Sequence, residues 1–118
     1  MNLKECYEII GDYNDVMLRI PMEKLIKKCI CKFPGDPSYM ELSNAIKAED
    51  YKEAFRAVHT LKGVSRNLGL MTLFNLSDQM TEILRDEKAH DVSDLMNEID
   101  LEYEKVVAAI SQLINDEQ

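Results

Sequence analysis

Residues 51–69, YKEAFRAVHTLKGVSRNLG, carry the pattern of a long amphipathic helix. Asp50, followed three residues later by Glu53, approximates a capping box at its start. Gly69 is placed to end the helix in the left-handed conformation. The segment therefore predicts a helix from Tyr51 to Leu68 that buries one face. The predicted core stripe has three-and-four spacing and consists of Ala54, Ala57, Val58, Leu61, Ser65 and Leu68.

Helix start and stop signals recur through the rest of the chain, whereas strand signals are nearly absent. Short helices are predicted within about residues 2–33, and longer ones at about 39–47, 72–88 and 92–114. Ser38 followed by Glu41 is a capping-box pattern that follows a Pro/Gly-rich loop, FPGDPS. Short connections between such helices favour an all-α, up-down four-helix bundle with additional short N-terminal helices, in a single domain of residues 1–118.

Composition excludes several classes of function. The 118 residues carry 22 acidic and 14 Lys or Arg side chains, a net charge of −8, which argues against binding to nucleic acid or to an anionic membrane. The sequence has no apolar run long enough to span a membrane and no targeting segment, so we expect a cytoplasmic protein. Its three cysteines lack metal-ligand spacing, and no nucleotide-binding loop is present, so we expect neither a metal nor a cofactor.

Helical geometry places His59 on the outer face of its helix, about 160° around the axis from Leu61. Lys62, Gly63 and Arg66 lie on the side of His59, at about 60°, 40° and 20° from it. A histidine beside surface lysines is most often only a solvated side chain. The presence of Gly63 beside His59 changes this interpretation and indicates a functional site.

Gly63 is unexpected within a helix, where glycine costs about 1 kcal/mol relative to alanine. Because residues four apart are neighbours on a helix surface, any side chain at this position would crowd His59. The glycine therefore indicates that a second surface approaches the imidazole. Lys62 and Arg66 indicate that the arriving group is negatively charged.

The segment HTLKGVSRNLG resembles the signature of histidine-containing phosphotransfer (HPt) domains, the small four-helix bundles of bacterial two-component phosphorelays. The upstream segment EDYKEAFRAVH is also similar to the corresponding family segment, and the helix count and lengths agree over nearly the whole chain. The residues that fit the signature in register are His59, Leu61, Lys62, Gly63, Leu68 and Gly69.

This resemblance implies a phosphocarrier and not an enzyme. His59 would be the phosphorylated residue, Lys62 would contact the phosphoryl group, and Gly63 would leave room for the partner. The implied partners are the receiver domain of a response regulator and a hybrid sensor histidine kinase, and the receiver would supply the catalytic apparatus with its Mg²⁺. A neutral imidazole is a competent nucleophile near neutral pH, and by analogy it would attack through Nε2. We expect the protein to act as a monomer.

Two positions depart from the family pattern. Several members carry a glutamine that hydrogen-bonds the histidine ring, and Thr81 stands at the matching place. Threonine is shorter, so Asp78, Gln79 and Glu82 are further candidates for orienting the ring. Arg66 replaces a small residue and is a candidate contact for the phosphoryl group or for the partner.

Other residues carry weaker signals. Leu70, Leu73 and Leu76 are candidates for docking a receiver, although we expect at least two of them in the core. His90, in the turn before the last helix, is expected to be a solvated surface residue.

Three alternative functions follow from the sequence. A dimerisation helix pair of a histidine kinase lacks the Lys-Gly spacing. A metal-binding bundle is expected to show Glu-x-x-His, and neither histidine has a glutamate three residues before it. The third alternative is a helical adaptor or a degenerate HPt domain that binds receiver domains without phosphotransfer.

Overall fold

The computed structural model describes residues 1–117. Within them the regular structure is entirely helical, which confirms the predicted all-α class. No helix in this range combines the length and apolar character needed to cross a membrane. The seven α-helices of residues 1–117 are α1 (Leu3–Ile10), α2 (Tyr13–Arg19), α3 (Glu23–Lys32), α4 (Ser38–Lys47), α5 (Tyr51–Asn67), α6 (Met71–Ile83) and α7 (Ser93–Asn115).

Helices α3 and α4 follow one another end to end and together form the first column of the bundle. A 3₁₀ turn, Phe33–Gly35, joins α3 to α4, where Pro34 and Pro37 interrupt the helical hydrogen bonding. The column runs antiparallel to α7, because Lys27 pairs with Glu117 whereas Tyr39 donates a 2.5 Å hydrogen bond to Asp100. The sequence pattern groups α3 with the short N-terminal helices that are additional to the four-helix bundle. The structure places it along α7 instead.

Helices α5 and α6 form an antiparallel hairpin that carries His59. All six residues of the predicted core stripe of α5 are buried. The backbone N–H of Glu53 donates to Asp50 at 3.1 Å, and Gly69 adopts φ = 67°, so both predicted ends of the helix are confirmed. The hairpin thus presents a fixed outer face.

The N-terminal helices lock the corner between α5 and α6. The buried hydroxyl of Tyr7 donates to the carbonyl of Leu68 at 2.7 Å, and the N–H of Asp12 donates to the carbonyl of Gly69 at 2.9 Å. Here the backbones of Gly11 and Gly69 approach so closely that a Cβ atom on Gly11 would lie 2.0 Å from the carbonyl oxygen of Gly69. The corner therefore requires glycine at position 11.

Gly11→Ala is expected to destabilise the fold by about 1–3 kcal/mol or more, because the contacted atom belongs to backbone and must be displaced. The φ of Gly11 is 179°, which any residue adopts, so the loss arises from contact and not from backbone strain. Urea unfolding followed by circular dichroism measures the loss. A midpoint equal to that of the wild type would contradict the close approach.

The structure differs from the sequence-based prediction at two helix ends. Ser38 does not cap α4: its N–H and hydroxyl both donate to Asp36, and Ser38 is already helical. The helix predicted to reach residue 88 ends at Ile83 and continues only as a 3₁₀ turn, Leu84–Asp86. Glu87 then adopts a left-handed φ of 59°. This conformation is uncommon for glutamate, so the sequence does not predict it.

Candidate functional site

His59 lies on the exposed face of α5. Gly63, one turn further on, is also exposed, and a Cβ atom built on it would meet no atom within 4 Å. The protein therefore has open space beside the imidazole. Within residues 1–117, no side chain hydrogen-bonds the ring of His59.

An aromatic side chain lies beside the imidazole on its other side. Phe55, one turn before His59, has its ring centroid 6.0 Å from that of the imidazole, with the two planes tilted by 44°. The guanidinium of Arg85 lies 5.8 Å from the centroid of the Phe55 ring. Neither residue is predicted as part of the site from the sequence. The i−4 spacing of Phe55 was an available signal, whereas the approach of Arg85 depends on how α6 packs.

Two of the cations around His59, Lys62 and Arg56, are paired with acids. Lys62 Nζ lies 2.8 Å from Asp78 Oδ1, so the side chain three residues after His59 is tied to α6. Arg56 donates to Glu53 and to Glu41, and its hydrogen bonds lower the pKa of Glu53. The basic patch inferred from the sequence is therefore charge-compensated in part.

Two cations on this face are placed differently. Arg66 and Lys52 are both exposed, and neither forms an ion pair with another side chain of the described range, residues 1–117. Arg66 lies two turns after His59 on the same helix, and helical side chains tend to tilt toward the N-terminus, which is the direction of His59. Arg66 is thus available to an anion that enters the gap at Gly63.

Thr81 is not placed to orient the imidazole. The pairs Lys62–Asp78 and Phe55–Arg85 fix the register of the hairpin and set Thr81 level with His59 along the helix axes. However, the side chain of Thr81 is fully buried, and its hydroxyl donates to the carbonyl of Ser77 at 2.7 Å. This position points into the core because it lies on the α6 stripe that packs into the bundle.

The other α6 candidates lie outside the core. Gln79 and Glu82 are exposed, and Asp78 is half-buried against Lys62. Glu82 accepts a hydrogen bond of 2.6 Å from Arg85, which lowers the pKa of Glu82. None of these side chains bonds the ring, and Phe55 is the aromatic side chain beside it.

A shallow groove of about 490 Å³ opens on one side of His59. Most of its lining side chains are charged or polar, Phe55 is the apolar one among them, and the groove continues the open face toward the start of α5. No group of three or more His, Cys, Asp or Glu residues within residues 1–117 is arranged to hold a metal ion. The groove is lined by Lys52, Glu53, Phe55, Arg56, His59 and Thr60, among others.

The remaining candidates from the sequence lie away from this face or in the core. Leu70 and Leu73 are fully buried, and Leu76 is half-buried against the core, as we expected for at least two of them. His90 is exposed, and its Nε2 lies 3.0 Å from each carboxylate oxygen of Asp86. His90 is therefore a surface residue with a local partner.

Comparison with known proteins agrees with this geometry. A sequence profile of the Hpt domain family matches residues 39–109, which is more than half of the chain and includes His59. Comparisons with curated proteins and with solved structures found no significant match. The matched range runs from the start of α4 into α7 and contains the whole α5–α6 hairpin. The chain therefore belongs to the Hpt domain family.

Proposed function

We propose that this protein is a phosphorelay intermediate that accepts a phosphoryl group on His59 from a receiver-domain aspartate and passes it to another receiver domain. Hpt domains are phosphocarriers that serve histidine phosphotransfer with response-regulator receivers, and the match spans His59. The observation that carries the proposal is the exposed imidazole beside the empty space at Gly63. We also propose that the whole chain forms this one domain.

The transfer needs little covalent machinery from this chain. The lone pair of Nε2 attacks the phosphorus of the aspartyl phosphate, the N–P bond forms, and the aspartate carboxylate leaves with the electron pair of the P–O bond. The hydrogen on Nδ1 does not have to move for this bond to form. Positioning and charge stabilisation therefore dominate catalysis.

The cations of this chain stabilise charge on the transferring phosphoryl oxygens. Lys62 lies one turn after His59, and its ammonium group would turn from Asp78 to these oxygens when the phosphoryl group arrives. Arg66 reaches toward the same oxygens from across the gap at Gly63. Donors aimed at oxygens that carry charge in the transition state lower the barrier most effectively.

The partner completes the site. We propose that the receiver domain contributes the phosphorylated aspartate and Mg²⁺. We also propose that a hybrid sensor histidine kinase supplies phosphate to the relay. Since His59, Lys62 and Gly63 lie on one helix, one copy of the chain suffices, and we propose a monomer. We place this function in the reducing cytoplasm, which agrees with three unpaired cysteines.

Phosphate uptake tests the function directly. The protein is mixed with a receiver domain that carries labelled aspartyl phosphate, and the label on each protein is followed with time. We expect stoichiometric, reversible labelling that acid removes and alkali does not, as for a phosphoramidate. Receiver binding without any labelling would instead support the adaptor function.

Lys62→Ala is expected to slow the transfer by about tenfold to a hundredfold, because one charge-stabilising donor is lost. Circular dichroism should show an unchanged helical fold, since the side chain lies at the surface. Single-turnover transfer from a phosphorylated receiver measures the rate. Lys28→Ala, an exposed lysine on α3, is the matched control and should transfer at the wild-type rate. A wild-type rate in Lys62→Ala would remove this lysine from the mechanism.

A further inference from the structure

We propose that Asp78 competes with the phosphoryl group for Lys62 and thereby sets how much phosphate rests on His59 at equilibrium. This inference rests on the proposed function. It assigns to α6 a residue that tunes the relay without touching the reacting atoms. Asp78 is in this sense a positioning residue that acts through Lys62.

The geometry of the ion pair supports this competition. Lys62 Nζ and Asp78 Oδ1 are 2.8 Å apart, so they are in direct contact in the unphosphorylated protein. The Lys62 side chain is 25% exposed, and the Asp78 side chain is 43% exposed. The lysine is thus held against the hairpin, whereas the aspartate has access to solvent. Phosphorylation changes the balance because a phosphoryl group carries more negative charge than a carboxylate.

Two arrangements follow when His59 is phosphorylated. In the first, Lys62 leaves Asp78 and turns to the phosphoryl oxygens, so the protein loses the ion pair that it had. In the second, the three donors of the ammonium bridge both anions, which holds the carboxylate beside the phosphoryl group. Like charges held close together repel each other. Asp78 therefore disfavours the phosphorylated state in either arrangement.

The neighbouring charges on α6 do not replace Asp78. Glu82 lies one turn further on and is bonded to Arg85. Among residues 1–117, Lys62 has Asp78 as its ion-pair partner. Removing the carboxylate of Asp78 alone should therefore release Lys62 to the phosphoryl group. A carrier whose acceptor is slightly disfavoured returns phosphate readily to the next receiver.

The experiment measures the equilibrium ratio of phosphorylated His59 to phosphorylated receiver. Asp78→Asn is expected to raise this ratio by about twofold to fivefold, the size expected for a partly exposed charge pair. Glu98→Gln, which removes one exposed negative charge from α7, is the matched control and should leave the ratio unchanged. The rise in Asp78→Asn should shrink as the salt concentration increases.

A double-mutant cycle tests whether Asp78 acts through Lys62. In a Lys62→Ala background, nothing holds the carboxylate near His59, so adding Asp78→Asn should no longer raise the ratio. A full rise in that background, or a rise that salt does not affect, would overturn the competition. If the wild-type chain accepts phosphate but Asp78→Asn matches it, this inference alone fails. If the wild-type chain accepts none, the proposed function fails as well.

Discussion

His59→Gln is expected to take up no phosphate from a phosphorylated receiver domain. The amide of glutamine has no basic nitrogen lone pair that can attack phosphorus, so the loss should be complete and not partial. The fold should remain, because His59 is exposed and glutamine is a good helix former. Transfer of labelled phosphate measures the loss, and circular dichroism confirms the fold.

The second histidine provides the matched control. His90→Gln makes the same chemical change at another exposed position, whose imidazole is paired with Asp86. This variant should accept phosphate at the wild-type rate. Retained labelling in His59→Gln, or loss of labelling in His90→Gln, would show that the acceptor is a different residue.

The sequence predicts helix α5 well, because its signals are local. Amphipathic spacing determines which residues of α5 are buried, and Asp50 and Gly69 mark where it begins and ends. Gly63 is recognised as unusual because a helix interior favours almost any other residue. The outward direction of His59 follows from helix geometry alone. These features need no knowledge of how the helices pack.

Features that depend on packing between helices could not be predicted. The ion pair of Lys62 with Asp78 joins residues that are distant in sequence, and its existence depends on the register of the hairpin. The same register sets Thr81 level with His59 but turns its hydroxyl toward Ser77. The family resemblance indicated the right position for Thr81 along the axis of α6, but it could not indicate the direction in which the Thr81 side chain points.

The N-terminal part shows a related limit. Local signals identify α3 and the loop at Pro34 but not whether the chain reverses there. Two prolines and a glycine suit either a sharp turn or a kink in a continuing column. The contacts of Lys27 and Tyr39 along α7 establish the kink, and those contacts are long-range.

Gly63→Gln is expected to slow transfer by about a hundredfold, although it should leave the fold as stable or more stable. A Cβ atom at this position meets nothing within 4 Å, and replacing glycine in a helix gains up to about 1 kcal/mol. In the complex, however, the new side chain would occupy the space through which the receiver approaches His59. Displacement of reacting groups by about 1 Å can cost a hundredfold in rate.

Single-turnover transfer, titration of the receiver and thermal unfolding measure the three effects on one variant. Gly35→Gln is the matched control, because Gly35 is also an exposed glycine with no atom within 4 Å of its Cβ position and lies in the turn between α3 and α4. This control should transfer and bind normally. If Gly63→Gln transfers as fast as Gly35→Gln, the open space beside His59 does not serve the approach of a partner. A clear loss of stability in Gly63→Gln would instead mean that the glycine serves packing, which the empty surroundings of its Cβ position argue against.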